Sequence, residues 1–204
     1  MRGLYAVTPD VASTAALERM VAQALEGGVA ILQYRNKLAD AALRREQAEA
    51  LLRLARARRV PLIVNDDVAL AAAIDADGAH VGRDDGDVAA ARRILPGKRL
   101  GVSCYASLDA AEAAVANGAD HVAFGSVFAS GTKPGAGRAA LDLFSRARDL
   151  GVPLVAIGGI TVENAPQVIS SGADCLAVIS DLFGASDIAG RAAAYRRLFG
   201  KGPA

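Results

Sequence analysis

The sequence contains no tryptophan, only two cysteines and almost no excess charge. Cys104 and Cys175 lie far apart and have neither metal-ligand nor redox spacing, which excludes a disulfide framework. A formal net charge of +1 excludes a strong global field directed at nucleic acid or an anionic membrane. We therefore expect neither partner, and we expect any anion to be bound by a few local cations and backbone dipoles.

Long apolar runs and an N-terminal signal pattern are also missing. No uninterrupted apolar stretch is long enough to span a bilayer, and residues 1–7 run directly into a strand pattern. These absences predict a cytoplasmic protein. Hydrophobic residues are abundant at 52%, mostly as Ala, Val, Leu and Ile, which is typical of alanine-rich helices packed over β-branched strands.

Short apolar runs alternate with helical patterns along the whole chain. The predicted strands are 4–7, 29–33, 62–64, 80–81, 100–103, 121–124, 154–157 and 176–179. The predicted helices are about 13–26, 40–59, 67–74, 87–95, 107–117, 140–150, 162–171 and 188–199. Strict alternation predicts an α/β protein with a closed parallel (β/α)₈ or TIM barrel, and a doubly wound open sheet is the main competing fold. Because no linker divides the chain, we expect residues 1–204 to form one domain.

A short repeat marks the junctions at which a helix leads into a strand. Residues 118–120 and 172–174 both have the sequence Gly-Ala-Asp, and residues 77–79 contain a shorter echo of it. The glycine is suited to ending a helix in the left-handed conformation before an apolar pair enters the barrel. Since the repeats lie at strand starts, we interpret them as stability features.

Polar residues are concentrated where the predicted strands end. In a barrel of parallel strands these carboxyl ends form the face that binds ligands. The polar segments are 33–37, 65–67, 83–85, 103–105, 130–135, 158–161 and 179–181. This face is therefore the predicted active site.

Two neighbouring segments of that face predict a phosphate site. Gly158 and Gly159 allow backbone N–H groups to approach an anion closely, and a helix predicted to open near Thr161 adds its N-terminal dipole. Ile179 and Ser180 supply further N–H groups and a hydroxyl. Barrels frequently bind phosphate at this position. The alternative is that the two glycines only form a tight turn.

Cations and carboxylates are mixed elsewhere on the same face. The group contains Arg35, Lys37 and Lys133 beside Asp66 and Asp85. Mg²⁺ typically binds through one or two carboxylates together with substrate phosphates and waters, and the cations would offset the remaining phosphate charge. The alternative is a set of salt bridges at the rim.

Other candidates have simpler interpretations. Asp67 is predicted to cap the following helix. His80 and His121 are interpreted as core or bottom-face residues, because both fall near strand starts. Cys104 has no neighbouring histidine that could make it a nucleophile, and Cys175 is interpreted as a small buried hydrophobe.

The ordered motifs LYAVTPD, LQYRNK, LIVNDD, GAHVG, LGVS, GTKPG, AIGGIT and AVIS cover nearly the whole chain. Together they resemble the thiamine phosphate synthase (thiamine-phosphate pyrophosphorylase) family. The resemblance implies a transferase that couples hydroxymethylpyrimidine diphosphate to a thiazole phosphate, giving thiamine monophosphate and diphosphate. It also implies Mg²⁺ as the cofactor and a dissociative displacement.

The resemblance further implies a role for individual residues. The pyrimidine-diphosphate site would comprise Gln33, Arg35, Lys37, Asn65, Ser103 and Lys133, of which Lys133, Arg35 and Ser103 would be catalytic. The thiazole-phosphate site would comprise Ser130, Thr132, Gly159, Ile179 and Ser180. Asp66 and Asp85 would bind the metal, with Asp84 left open as the alternative to Asp85. The glycine-rich composition of the loop 125–137 makes it our candidate for a lid.

Two rival functions stay open at this point. A thiazole tautomerase-like isomerase would share the barrel and the phosphate site, but it would use a histidine after strand five, where this chain has Ser103-Cys104-Tyr105. A non-catalytic barrel that binds a thiamine-related ligand is the second rival. The sequence does not decide whether the chain forms a homo-oligomer.

Overall fold

Eight parallel strands close into a barrel in the computed structural model, which describes residues 1–82, 87–129 and 138–200. Each strand pairs with the next one along the chain, and β8 pairs with β1. The strands are β1 (Gly3–Val7), β2 (Ile31–Tyr34), β3 (Leu62–Asn65), β4 (Gly78–Val81), β5 (Arg99–Tyr105), β6 (His121–Gly125), β7 (Leu154–Ile157) and β8 (Cys175–Val178). The predicted TIM barrel is confirmed.

Helices cover the outside of this barrel. They are α1 (Thr14–Gly27), α2 (Ala41–Ala57), α3 (Val68–Ala73), α4 (Val88–Ile94), α5 (Leu108–Ala116), α6 (Asp142–Arg146), α7 (Ala165–Ser170), α8 (Ser180–Phe183) and α9 (Ile188–Leu198). As predicted, Asp67 caps α3, because its carboxylate accepts a hydrogen bond from the N–H of Leu70 at 2.8 Å. No helix in the described part of the chain is both long and apolar enough to cross a membrane.

The structure corrects three helix predictions. The helix predicted over 140–150 is divided into α6 and a 3₁₀ turn, Arg148–Leu150. The helix predicted from residue 162 begins only at Ala165, because Asn164 accepts a hydrogen bond from the N–H of Thr161 and donates one to the carbonyl of Gly159, each at 2.9 Å. The short helix α8, directly after β8, was not predicted.

Alternate residues of each strand face the interior of the barrel. The inner apolar layer is formed by Tyr5, Val7, Ile31, Ile63, Ala123, Val155, Cys175 and Ala177. Gln33 and Asn65 follow Ile31 and Ile63 by two residues, so strand alternation turns them to the same interior, nearer its open end. The interior of the barrel is therefore filled by an apolar layer, with polar side chains nearer the carboxyl ends of the strands.

A shared contact accompanies the Gly-Ala-Asp repeats and the shorter segment 77–79, and their role in stability stays a prediction. In each of the pairs β3–β4, β5–β6 and β7–β8, the aspartate directly before the second strand accepts a hydrogen bond from the first or second residue of the first strand. Asp77, Asp120 and Asp174 accept hydrogen bonds from the backbone N–H groups of Leu62, Leu100 and Leu154 at 2.8, 2.7 and 2.9 Å. These aspartates lie at the end of the barrel opposite the ligand-binding face.

Candidate active site

One cavity of about 570 Å³ lies at the carboxyl ends of the strands, within the size range typical of small-molecule sites. Every predicted site residue that the structure describes lines this cavity: Gln33, Arg35, Lys37, Asn65, Asp66, Ser103, Gly159, Ile179 and Ser180. Asp84, Asp85, Ser130, Thr132 and Lys133 lie outside the described residues, as do residues 130–137 of the loop 125–137 that was predicted as a lid. The strand-end rule thus brings together residues from five strands, whose individual roles stay predictions.

The cationic side of the cavity is organised by Asp10, which follows β1. Its carboxylate accepts hydrogen bonds from Nη1 of Arg35 at 3.0 and 3.1 Å and from the backbone N–H of Lys37 at 2.6 Å. The Arg35 side chain is only 13% exposed. Thr8 adds two contacts to the Arg35 backbone, accepting from its N–H and donating to its carbonyl, both at 2.8 Å. The side chain of Arg35 and the backbone of Lys37 are therefore both held by residues that follow β1.

Asp66 lies at the tip of β3 in a conformation that few side chains adopt. Its φ is +63°, in the left-handed region that aspartate tolerates better than most residues. Its backbone N–H donates to the carbonyl of His80 at 2.8 Å. Oδ2 of Asp66 lies 3.5 Å from Nζ of Lys37. The bend after β3 therefore places a carboxylate at the rim of the cavity, next to a cation.

The donor set around Asp66 fits a hard cation in part. Within the described residues no three His, Cys, Asp or Glu side chains come together as a metal cluster. Mg²⁺ does not require one, since it commonly takes one or two carboxylates and completes its shell with waters and substrate phosphates. Asp66 is suited to be one of these carboxylates.

The floor of the cavity is made of polar side chains in two hydrogen-bonded pairs. Nε2 of Gln33 donates to the hydroxyl of Tyr5 at 3.0 Å, and Nε2 of His80 lies 2.9 Å from Oγ of Ser103. Burial raises the pKa of the Tyr5 hydroxyl, so it keeps its proton at neutral pH. Such a floor matches a heteroaromatic ring that carries both donors and acceptors.

The structure corrects the interpretation of one histidine. His80 is buried, but it lines the cavity instead of lying at the bottom of the barrel. His121 is buried at 1% exposure, as expected for a core residue. Burial, with His80 beside it, lowers the pKa of His121 to about 3, so this imidazole is neutral at pH 7.

The side of the cavity after β7 is shaped by two glycines. Gly158 and Gly159 have φ angles of +106° and +62°. A Cβ on Gly158 would collide with Ser126, and one on Gly159 would lie 2.9 Å from Cβ of Phe128. The backbone here therefore passes too close to its neighbour for any larger residue.

The predicted helix dipole at Thr161 is wrong, because α7 begins at Ala165. Ser180, which begins α8, and Ile179 still line this side of the cavity together with Gly159. The predicted anion site thus keeps its backbone N–H groups and the Ser180 hydroxyl, but the dipole of α7 does not begin at Thr161 and is not part of it.

Asp181 also lines this cavity, and its negative charge is offset by two side chains outside the cavity. Its carboxylate accepts a hydrogen bond from the Tyr195 hydroxyl at 2.7 Å and lies 3.4 Å from Nη1 of Arg191. Burial, followed by the hydrogen bond to Asp181, raises the pKa of the Tyr195 hydroxyl. Tyr195 therefore remains a donor, and with Arg191 it offsets a carboxylate that would otherwise repel an anionic ligand.

The two cysteines take no part in the site. Cys104 is fully buried, and burial raises the pKa of its thiol to about 12. Its neighbour Ser103 faces the cavity, whereas Cys104 belongs to the outer core between strands and helices. Cys175 is a small buried residue of the inner barrel layer, as predicted.

Sequence reasoning missed Asp10, Tyr5 and His80. The strand-end rule that found the other residues applies equally to Asp10, which stands three positions after the end of β1. Tyr5 and His80 lie inside strands, where only the register shows which face a side chain takes. No local signal in the sequence separates these two from ordinary core residues.

Comparisons with known proteins agree with this geometry. The model of the family described as Thiamine monophosphate synthase matches residues 4–182. The thiamine-phosphate synthase of Aromatoleum aromaticum is 58% identical over 201 residues, covering 98% of this chain and 97% of that protein. That of Methylobacillus flagellatus is 54% identical over 200 residues, covering 98% and 96%.

A solved structure extends the similarity to three dimensions. Thiamine phosphate pyrophosphorylase from Pyrococcus furiosus superposes with a TM-score of 0.87 at 33% identity, covering 97% of this chain and 95% of that one. Sequence and fold agree over almost the full length. The chain belongs to the thiamine monophosphate synthase family.

Proposed function

We propose that this chain is a thiamine-phosphate synthase, a transferase that joins hydroxymethylpyrimidine diphosphate to a thiazole phosphate. One observation carries the proposal: a single cavity combines a polar floor, cations beside a carboxylate, and a glycine-lined cradle on the opposite side. We assign these three regions to a pyrimidine ring, its diphosphate, and the phosphate of a second substrate. The products are thiamine monophosphate and diphosphate.

The chemistry needs a leaving-group site more than it needs a base. The bond from the pyrimidine methylene carbon to the diphosphate oxygen breaks, and its electron pair leaves with the diphosphate. The thiazole ring nitrogen already carries a free lone pair, which forms the new C–N bond without prior loss of a proton. Arg35, Lys37 and Lys133 stabilise the negative charge that develops on the departing diphosphate.

Asp66 and Asp85 are proposed to hold a Mg²⁺ ion, with Asp84 as the alternative to Asp85. When bound, Mg²⁺ neutralises charge on the diphosphate and makes it a better leaving group. Asp66 supports this assignment because it combines a hard oxygen donor with a position at the rim of the cavity. Lys37, 3.5 Å from Asp66, is then in a position to turn to the diphosphate.

The remaining groups orient the two rings and exclude water. Gln33, Asn65 and Ser103 are proposed to bind the pyrimidine. Ser130, Thr132, Gly159, Ile179 and Ser180 are proposed to bind the thiazole phosphate. Water must be kept from the electron-poor pyrimidine carbon before the thiazole attacks, and the loop 125–137 is proposed as the lid that excludes it.

An assay with each component omitted in turn tests the proposal. The purified protein is given both substrates and Mg²⁺, and thiamine monophosphate is measured by chromatography. Product is expected only when both substrates are present, and chelation of Mg²⁺ is expected to stop the reaction. Isomerisation of the thiazole substrate without any coupling would refute the synthase and favour the tautomerase. The cytoplasmic location, the single domain and the assembly state stay predictions.

A further inference from the structure

His80 and Ser103 face each other on neighbouring strands at the floor of the cavity. Nε2 of His80 lies 2.9 Å from Oγ of Ser103, and both residues line the cavity. The side chain of Ser103 is partly exposed to the cavity, whereas His80 is 7% exposed. A hydroxyl in this contact has its orientation constrained from below while its other hydrogen-bonding positions still face a ligand.

The strand register explains why His80 can reach Ser103. His80 pairs with Gly101 on β5, and Gly101 pairs with His121 on β6. Because glycine has no side chain, the two imidazoles meet over it with ring centroids 5.8 Å apart, and a Cβ at Gly101 would collide with both rings. The ring of His80 is therefore held between His121 and Ser103.

The other polar pair of the floor has the same design. Gln33 faces the cavity, and its amide is held by the fully buried Tyr5 at 3.0 Å. In each pair a more deeply buried ring holds a smaller group that is available to the ligand. Two groups whose orientation is set in advance suit a flat heterocycle with a donor and an acceptor on adjacent atoms.

We propose that His80 is a positioning residue for the pyrimidine substrate and acts through Ser103. By holding Oγ of Ser103, it directs the remaining hydrogen-bonding capacity of that hydroxyl at the edge of the pyrimidine ring. This inference rests on the proposed function, since it names the residue that prepares the pyrimidine half of the same site. His80 thus joins the site from within a strand.

A double-mutant cycle tests this role directly. The variants are His80→Phe, Ser103→Ala and the double variant, and the readouts are kcat and KM for each substrate. Each single variant is expected to lower kcat/KM for the pyrimidine diphosphate by about tenfold, the size of one hydrogen bond. The double variant is expected to be no worse than Ser103→Ala, because His80 acts only through that hydroxyl. The KM for the thiazole phosphate is expected to stay unchanged.

Two further variants separate positioning from packing. His80→Gln places an amide near the position of Nε2 and is expected to recover part of the activity lost in His80→Phe. Cys104→Ala alters a fully buried residue on the same strand as Ser103 that faces the outer core, and it is expected to keep kcat/KM within about twofold of wild type. If His80→Phe does not fold, the same cycle is run with His80→Asn.

The outcomes that overturn the inference are distinct from those that overturn the function. Wild-type kcat/KM in the His80 variants, or losses that multiply in the double variant, would refute a role through Ser103. Equal increases in KM for both substrates would indicate a general packing defect, and they would also refute a role through Ser103. A wild-type protein that forms no thiamine monophosphate would instead refute the proposed function.

Discussion

Replacing Asp10 by alanine tests whether the cationic side of the cavity is organised before the substrate binds. Asp10 holds the guanidinium of Arg35 at 3.0 and 3.1 Å and the backbone N–H of Lys37 at 2.6 Å. Without it, Arg35 must be reordered on binding at about 0.5–1.5 kcal/mol, and the backbone at Lys37 at about 1–2 kcal/mol. Both terms oppose binding of the diphosphate.

Loss of the Asp10 charge acts in the opposite direction. Removing a negative charge on the order of 8 Å from a phosphate in water lowers the repulsion by about 0.5 kcal/mol. The ordering terms are larger, so the net loss is about 2 kcal/mol, or roughly thirtyfold in kcat/KM. Steady-state kinetics at saturating thiazole phosphate and Mg²⁺ measure this value. The kcat/KM of Asp10→Asn is expected to lie between those of wild type and Asp10→Ala, since its amide oxygen still accepts a hydrogen bond from the backbone N–H of Lys37.

Asp40→Ala is the matched control for this prediction. Asp40 ends the loop after β2 that carries Arg35 and Lys37, and it caps α2 by accepting from the N–H of Leu43 at 2.8 Å. Its loss is expected to lower the free energy of unfolding by about 1 kcal/mol and to leave kcat/KM unchanged. A wild-type kcat/KM in Asp10→Ala would show that Arg35 and Lys37 need no help from Asp10. An increase would show that charge repulsion outweighs ordering.

Four further substitutions test the metal site, the leaving-group site, the phosphate cradle and the base of the barrel. Asp66→Ala should remove activity together with its dependence on Mg²⁺, and an unchanged Mg²⁺ titration would assign the metal to another carboxylate. Lys133→Ala should lower kcat on the order of 10²-fold, because it removes a cation proposed to stabilise the departing diphosphate, and a wild-type kcat would remove Lys133 from the mechanism. Gly159→Ala should raise KM for the thiazole phosphate on the order of tenfold, because φ is +62° and Cβ of Phe128 would lie 2.9 Å from the added Cβ. An equal rise in KM for the pyrimidine diphosphate would contradict a local effect at Gly159. Asp174→Ala should lower the free energy of unfolding in urea by about 1–3 kcal/mol without changing kinetics, because the N–H of Leu154 loses its 2.9 Å acceptor, and an unchanged urea midpoint would show that this contact is not stabilising.

The barrel could be predicted from the sequence because its signals are local. Each strand is a short apolar run, and each helix start that carries a capping side chain, such as Asp40 or Asp67, is visible within a few residues. The start of α7 could not be predicted in the same way. There the side chain of Asn164 binds the N–H of Thr161 and the carbonyl of Gly159. Hydrogen bonds of this kind leave no periodic or compositional pattern in the sequence.

The candidate site could be predicted for a similar reason, but only in its outer part. Parallel strands bring their carboxyl ends together, so the order of strands along the chain is enough to group residues such as Gln33 and Ser180. The inner part depends on register. His80 reaches Ser103 because Gly101 leaves a gap beside it, and that arrangement exists only once β4 and β5 are paired.

The stoichiometry of a single turnover shows whether this cavity couples the two substrates. Wild-type enzyme in excess over both substrates, with Mg²⁺, is quenched at intervals, and diphosphate and thiamine monophosphate are quantified in the same samples. Both products are expected to appear together in equal amounts. Diphosphate released without thiamine monophosphate would contradict a cavity that brings the thiazole to the reacting carbon, and the absence of both products would contradict the synthase itself.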